Sequence, residues 1–401
     1  MKKSIAIIGG GPAGLMLAAK LDSTKYEISI YEKNQTCGRK LLVAGQGGFN
    51  LTHSEPGESF LSRYTPSTFL EPSFKTFSNT NLREWLDSIG IPTYIGSSKR
   101  VFPEKGIKPI QVLNAILKVL EENGVRFHFS HSWTGWSANK ELLFSTSAGS
   151  QTVKADYVVF ALGGGSWKVT GSDGAWATKF EEAGIKVLPL QASNCAFGIQ
   201  WPASLPPETE GKPLKNISIT CGKQTKEGEV TITKFGLEGS GIYALSPPIR
   251  DSLNQTGKAI LYLDLKPGLD LTEITTRLKN RRANRSLTKH LAESLNLDET
   301  KLSFVKSCVS KEIFQDPVHL AQHLKHLPLT IHTLAPIDEA ISTVGGISLE
   351  EVSKHFELKK LPNTFVIGEM LDWDAPTGGY LLQGCFSMGV GLALYMNNLN
   401  P

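Results

Sequence analysis

"SIAIIGGGPAGLMLAAKL", residues 4–21, decides the fold. Ile5, Ile7 and Ile8 read as a short β-branched strand, and Leu15, Ala18 and Ala19 then recur at helical spacing. Between them stands Gly9-x-Gly11-x-x-Gly14, with Pro12 and Ala13 completing the turn. Gly9 permits the tight turn, Gly11 lets backbone approach a pyrophosphate, and Gly14 lets helix and strand pack closely. An anion at such a helix start meets free N–H groups and the positive end of the dipole. A second strand, "EISIYEK" (27–33), carries Glu32, eighteen residues after Gly14 and placed to bind a ribose diol, with Lys33 beside it. Strand, turn, helix and strand in this order make a nucleotide-binding unit.

Size and composition bound what surrounds it. A chain of 401 residues calls for two or three domains. The shares of hydrophobic (40%) and charged (20%) residues are those of a globular protein. A net charge of +4 gives no reason by itself to invoke nucleic acid or anionic lipid. Five scattered cysteines, with no CxxC pair, suit a reducing cytoplasmic compartment and argue against a dithiol centre or a zinc site. The opening has the outline of a signal peptide, but its glycines fall in register for the nucleotide turn instead. The apolar run 378–396 is broken by Gln383 and several glycines, and reads as a buried helix and not a membrane span.

Two later stretches choose the nucleotide. "DYVVFALGGGSWKVTGSDG" (156–174) is a buried strand followed by a glycine-rich turn, with Ala161, Gly163 and Gly164 at its start. "LPNTFVIGEMLDWDAPTGGYLLQ" (361–383) is a strand ending in Gly368-Glu369, a loop, and a helix opening near Gly378, Gly379, Tyr380 and Leu381. This resembles flavoproteins of the glutathione-reductase type. There the late carboxylate binds the ribityl chain, and the last helix points its N-terminus at the flavin pyrimidine. A simple NAD dehydrogenase has no use for such an element, so the expected cofactor is FAD. The fold class is α/β: a Rossmann-like FAD-binding domain with an inserted β-barrel-like and helical domain. The boundaries are drawn at 1–190 and 336–401 for the FAD domain, 191–270 for the β-rich insert, and 271–335 for a helical subdomain.

Over nearly its whole length the chain resembles the BaiN/YhiN-like FAD-binding oxidoreductases, some of them labelled aminoacetone oxidases. The resemblance rests on Gly9/Gly11/Gly14 with Glu32, on Gly38-Arg39-Lys40 and the loop to Asn50, and on Ala161-Leu162-Gly163-Gly164. It rests also on "GEVTITKFGLEGSGIYALS" (228–246), "STVGGISLEE" (342–351), Gly368-Glu369 and "TGGYLLQ" (377–383). The commoner family loop reads Gly-Gly-Gly-Arg-Cys-Asn; here Gly48-Phe49 stand in place of Arg-Cys, as in a smaller branch with a "GGFNLTHSEP" loop. The resemblance implies that residues 38–53 wrap the flavin. Arg39 and Lys40 would lie near phosphate or ribityl oxygens. Gly45, Gly47 and Gly48 would allow close backbone approach, and Asn50 and Thr52 would offer hydrogen bonds near the ring.

The expected activity is hydride exchange between FAD and a small organic substrate, with NAD(P)H or oxygen as the other partner. No second GxGxxG domain for nicotinamide is evident. His53 is a candidate proton carrier and Arg100 a candidate anion clamp, and each is equally open to a structural role. The basic run "RLKNRRANRSLTKH" (277–290) reads as the solvated face of a helix, with a flavoprotein acting on RNA as the alternative. A non-catalytic flavin-binding protein is the other. His319, His323 and His326 share a helical face without accompanying carboxylate or cysteine, so no metal site is expected. Cys37, beside the flavin loop, is read as a packed residue.

Overall fold

A computed structural model of the chain describes residues 1–43, 48–282 and 284–399. Gly45 and Gly47 lie outside the described residues. The chain forms two compact units, Met1–Ala192 with Ile337–Pro401, and Ser193–Pro336.

The first unit is built on a five-stranded parallel sheet. Strand β1 (Lys3–Ile8) lies at its centre, between β2 (Tyr26–Glu32) and the strand Tyr157–Phe160. Arg126–Phe129 pairs outside β2, and Thr364–Val366 pairs outside Tyr157–Phe160. The order therefore reverses beside β1, and ligands bind at the carboxyl ends of strands at such a switch point. The Gly9–Gly11 turn occupies it.

Helix α1 (Pro12–Lys20) follows and is buried over Ala13–Ala19, because its residues are apolar all round. Its cover comes from the far end of the chain, the C-terminal helix Tyr380–Asn397. A Cβ at Gly389 of that helix would lie 2.6 Å from the Ala13 carbonyl oxygen and 2.9 Å from the Leu17 nitrogen. The two helices thus touch backbone to backbone. Tyr26 Oη donates to the Met396 carbonyl at 2.6 Å, and Asn397 Nδ2 to that of Lys20 at 2.9 Å, locking the far ends together.

The second unit is a closed antiparallel barrel. Its strand order is Phe197–Ile199, Gly236–Glu238, Gln224–Ile232, Pro213–Cys221, Ala259–Asp264 and Leu327–Leu334. Five short helices between Leu271 and Lys325 pack with it. Residues 327–334, grouped by sequence with the helices, are instead the strand that closes the barrel. Leu327, Leu329 and Ile331 are its buried face and Pro328, Thr330 and His332 its outer one; Pro328 is the residue that speaks against a strand in the sequence. The run 277–290 is not one helix face either. One helix ends at Lys279 and the next begins at Leu287, with Ser286 as its N-cap. The three histidines separate: His319 faces Asp316 at 3.2 Å, His323 bonds the His319 carbonyl, and His326 stacks on Tyr262.

Gly389→Ala is expected to push the two helices apart and cost about 1–3 kcal/mol, the usual penalty of overpacking. Gly57→Ala, whose added Cβ would meet only the Phe74 ring at 3.8 Å, is expected to be near neutral. Chemical denaturation of both variants checks this; equal midpoints would show that the helix contact does not limit stability.

Candidate cofactor and active site

The glycines of the turn do different jobs. At Gly9, φ is +111°, and a Cβ would run into the Ala161 carbonyl. At Gly14 a Cβ would run into the Gly9 carbonyl. Gly11 is different. Its φ of −83° suits any residue, and the nearest atom to an added Cβ is the Ala161 oxygen at 3.9 Å. Nothing in the chain requires glycine there. Helix α1 opens at this point with Gly11 as N-cap, Pro12 at the first position, and no side chain capping its N–H groups. A free cradle beneath uncapped donors fits a pyrophosphate.

Glu32 ends β2 beside the same turn. Its Oε2 accepts from the Gly10 N–H at 2.9 Å, and its Oε1 from the Asn34 N–H and side chain. Lys33 pairs with Asp173 at 2.7 Å, and Arg39 donates to Asn34 at 2.8 Å. Gly171, Ser172 and Asp173, read from sequence only as part of a glycine-rich turn, therefore stand beside Lys33 and Asn34. The buried Ser172 hydroxyl has no hydrogen-bond partner and lies 3.4 Å from where a Gly163 side chain would begin. A buried hydroxyl left open in this way fits a polar ligand. Cys37 packs against Gly10; burial, then the nearby Glu32 charge, push its thiol up to about 12. It behaves as a packed residue.

A second group lies beyond the Ala161–Gly164 turn. Lys40 Nζ donates to Glu369 at 3.0 Å and to Ser166 Oγ at 2.8 Å. Glu369 also accepts from the Thr343 N–H at 2.9 Å, and Thr343 Oγ1 from the Gly165 N–H at 3.1 Å. A Cβ at Gly164 would collide with Thr343 and crowd Glu369. Gly368, with φ of +81°, lies against Ala13 of α1. Four distant segments thus bring an oriented carboxylate to the switch point.

The third group surrounds the start of the C-terminal helix. Gly379 is its N-cap, and no side chain caps it. The fold itself requires glycine here. Its φ is +97°, and a Cβ would lie 2.5 Å from Thr52 Cα, so the Thr52 backbone, not a flavin ring, fills that space. The Thr52 hydroxyl is buried and donates to Gln383 Oε1 at 2.8 Å. Asn50 stays partly exposed, with its N–H on the Gly48 carbonyl. Phe49 is buried in the core of the first unit, so the branch-specific residue brings no functional group to the site.

His53 and Arg100 are partners in the register of a small antiparallel sheet. The His53 ring stacks on Tyr380 with centroids 5.1 Å apart, and Nδ1 accepts from the Glu55 N–H at 3.2 Å, which leaves the proton on Nε2. Glu55 was missed by sequence, although it stands two residues on. It accepts from Arg63 Nε at 3.0 Å and from the Tyr380 hydroxyl at 2.7 Å. Burial raises the Glu55 carboxyl, but Arg63 and Tyr380 outweigh it and hold the group below its ordinary range. Burial, then the hydrogen bond to Glu55, raise the Tyr380 hydroxyl. Arg100 is half-buried, with Nε 3.6 Å from where a Gly378 side chain would begin. Among the described residues its guanidinium makes no ion pair and no side-chain hydrogen bond.

This combination defines a nucleotide-binding protein of the Rossmann class. The chain belongs to the HI0933-like protein family, whose Rossmann-domain model matches residues 3–394. It is 24% identical to a ribosomal RNA dihydrouridine synthase of Escherichia coli strain K12, over 95% of this chain and 94% of that one. It is also 24% identical to a 3-dehydro-bile acid delta(4,6)-reductase of Clostridium scindens, over 96% and 97% of the two chains. A solved 3-ketosteroid delta1-dehydrogenase from Sterolibacterium denitrificans aligns over 99% of this chain and 100% of that one, with 11% identity and a TM-score of 0.48. Among the described residues no helix is long and apolar enough to cross a membrane.

Two expectations follow. Gly11→Ala should fold normally yet lose the bound nucleotide, whereas Gly14→Ala should lose fold and nucleotide together. Nucleotide released by heat, read beside circular dichroism, checks both; full occupancy in Gly11→Ala would mean the cradle is empty for another reason. Burial of His53, more than any nearby charge, lowers its pKa from 6.5. Its stabilising contribution is therefore complete above about pH 6.5 and is lost as pH falls through the folded value. Thermal midpoints should decline between about pH 7 and about pH 5, and His53→Gln should flatten that slope.

Proposed function

We propose that this chain binds FAD and adds or removes hydrogen across a carbon–carbon double bond conjugated to a carbonyl group. Gly11 carries the cofactor reading, since its missing side chain serves only a group that the chain itself does not supply. The bond type comes from the two kinds of relative: one forms dihydrouridine, the other reduces a delta(4,6) unsaturation, and both names describe saturation of a double bond. What carries that bond differs between them, RNA in one case and a bile acid in the other. For this chain the first reading is a small organic substrate with NAD(P)H as the other reactant; the second, which the basic run 277–290 favours, is a uracil base carried on RNA. The five free cysteines suit work in the cytoplasm.

FAD, when bound, supplies hydride exchange at its ring system. Gly9, Gly11, Pro12, Ala13 and Gly14 would hold the pyrophosphate at the start of α1. Glu32 and Ser172, with Lys33 and Arg39 nearby, would serve the adenosine side. Glu369, held by Lys40 and the Thr343 N–H, would accept from the ribityl hydroxyls beside Ala161, Gly163, Gly164 and Gly368. Gly48, Asn50 and Thr52 would flank the ring by backbone. The first turn of the C-terminal helix, Gly378–Leu381, would set partial positive charge against it. Arg100 is the available cation beside that turn, and it would bind the carbonyl oxygen of the substrate. His53 and Glu55 keep Tyr380 in place and so fix the helix start.

The protein should purify yellow and release FAD on heating. Mass spectrometry that finds FMN alone, or no flavin after reconstitution, rejects the cofactor. Anaerobic NADPH or NADH should bleach the flavin, and an α,β-unsaturated ketone should restore its colour. Recovery with oxygen alone would reject the double-bond chemistry. Arg100→Met should raise the KM for the carbonyl acceptor at least tenfold while FAD content stays normal; an unchanged KM would remove Arg100 from the site.

A further inference from the structure

The charge of this chain is not spread evenly. Met1–Ala192 with Ile337–Pro401 carries 24 lysines and arginines against 24 aspartates and glutamates. Ser193–Pro336 carries 18 against 14, so the whole excess of +4 resides there. Within it, residues 277–290 hold Arg277, Lys279, Arg281, Arg282, Arg285 and Lys289 and no acid. Without that run the second unit would be net acidic.

The fold gathers these six cations around one corner. They occupy the end of the helix Leu271–Lys279, the turn after it, and the start of the helix Leu287–Leu295. His290 pins the corner, its Nε2 lying 2.9 Å from the Arg277 carbonyl oxygen. Two of the cations are matched: Arg277 with Glu273 at 2.6 Å and Arg285 with Glu293 at 2.7 Å. Arg281 donates only to a carbonyl, that of Arg285. Lys279, Arg282 and Lys289 are exposed, and among the described residues their side chains have no ion pair and no hydrogen bond.

Gathering like charges is unfavourable unless something opposes them. The last turn of a helix favours cations, which accounts for Arg277 and Lys279 but not for the four that follow. The apolar residues here point inward: Leu278, Leu291 and Leu295 are buried. The corner therefore presents charge without an apolar wedge, which suits a phosphodiester backbone and not insertion into a bilayer. Guanidinium groups bind phosphate through two parallel hydrogen bonds, and three of the four cations in 281–289 are arginines.

We propose that this corner is a docking surface for the backbone of RNA. The choice of RNA among polyanions rests on the proposed function, since uracil is a conjugated double bond carried on such a backbone. None of its residues is among those proposed to hold the cofactor, so binding and flavin chemistry can be tested separately.

The test uses the full chain with its flavin and a fluorescent RNA hairpin. Binding at low salt is expected, with log K falling linearly as log salt rises, by about 0.7–0.9 per phosphate neutralised. The triple variant Lys279→Gln/Arg282→Gln/Lys289→Gln should bind at least tenfold more weakly and with a shallower salt slope. Its flavin content and visible spectrum should match the parent. The control Lys223→Gln/Lys226→Gln, on the barrel hairpin, should bind RNA like the parent. No binding at low salt overturns the proposal. So does equal loss in the control, or equal affinity for polyglutamate or anionic phospholipid vesicles. RNA binding by a chain that fails to carry FAD would uphold this surface and reject the flavin reading instead.

Discussion

Everything in the first unit depends on how closely backbones approach the start of α1. Gly9 lies on the Ala161 carbonyl, Gly14 on the Gly9 carbonyl, Gly368 on Ala13, and Gly389 on the carbonyl of Ala13. At Gly9, Gly14 and Gly389 the contact leaves no room for a methyl group, at Gly368 it leaves little, and together the four fix α1 from several sides. A helix held so rigidly keeps its first N–H groups at one place. The Glu369 group and the start of the C-terminal helix are both positioned against that reference. The proposed cofactor site is thus one end of a packing arrangement that holds one short apolar helix.

How much of this could be read from the chain depended on distance along it. The Gly9–Gly14 turn and Glu32 were legible because strand, turn and helix follow one another within thirty residues and each has a local signature. The barrel was legible as turn-punctuated strands, but Leu327–Leu334 was not, since a helix precedes it directly and Pro328 disfavours a strand despite the intact alternation. The partners of Lys40 and Glu369 could not be paired by spacing, for 329 positions separate them. Nor could the Glu55–Arg63–Tyr380 network, which needs the C-terminal helix laid beside the loop after His53.

Gly379 shows a subtler limit. A glycine at a cofactor-facing helix start invites a cofactor explanation, yet its neighbour is the backbone of Thr52. Gly11 is the opposite case, a glycine that no neighbour in the chain explains. Sequence spacing treats the two alike. Only the space around each separates a residue that is small for the fold from one that is small for a ligand.

The first unit is also discontinuous, because the second unit is inserted between its parts. Helix α1 is synthesised first, and Gly389, which must rest on Ala13, follows about 370 residues later. At roughly 5–20 residues per second, that interval lasts on the order of 20–75 s. For that time the apolar helix lacks its cover and a four-stranded sheet lacks its fifth strand, Thr364–Val366. The barrel, whose six strands are all made before that strand emerges, can close first. Synthesis therefore favours an order in which the inserted unit matures before its host, and the nascent nucleotide-binding half is the part most exposed to chaperones and to misassembly.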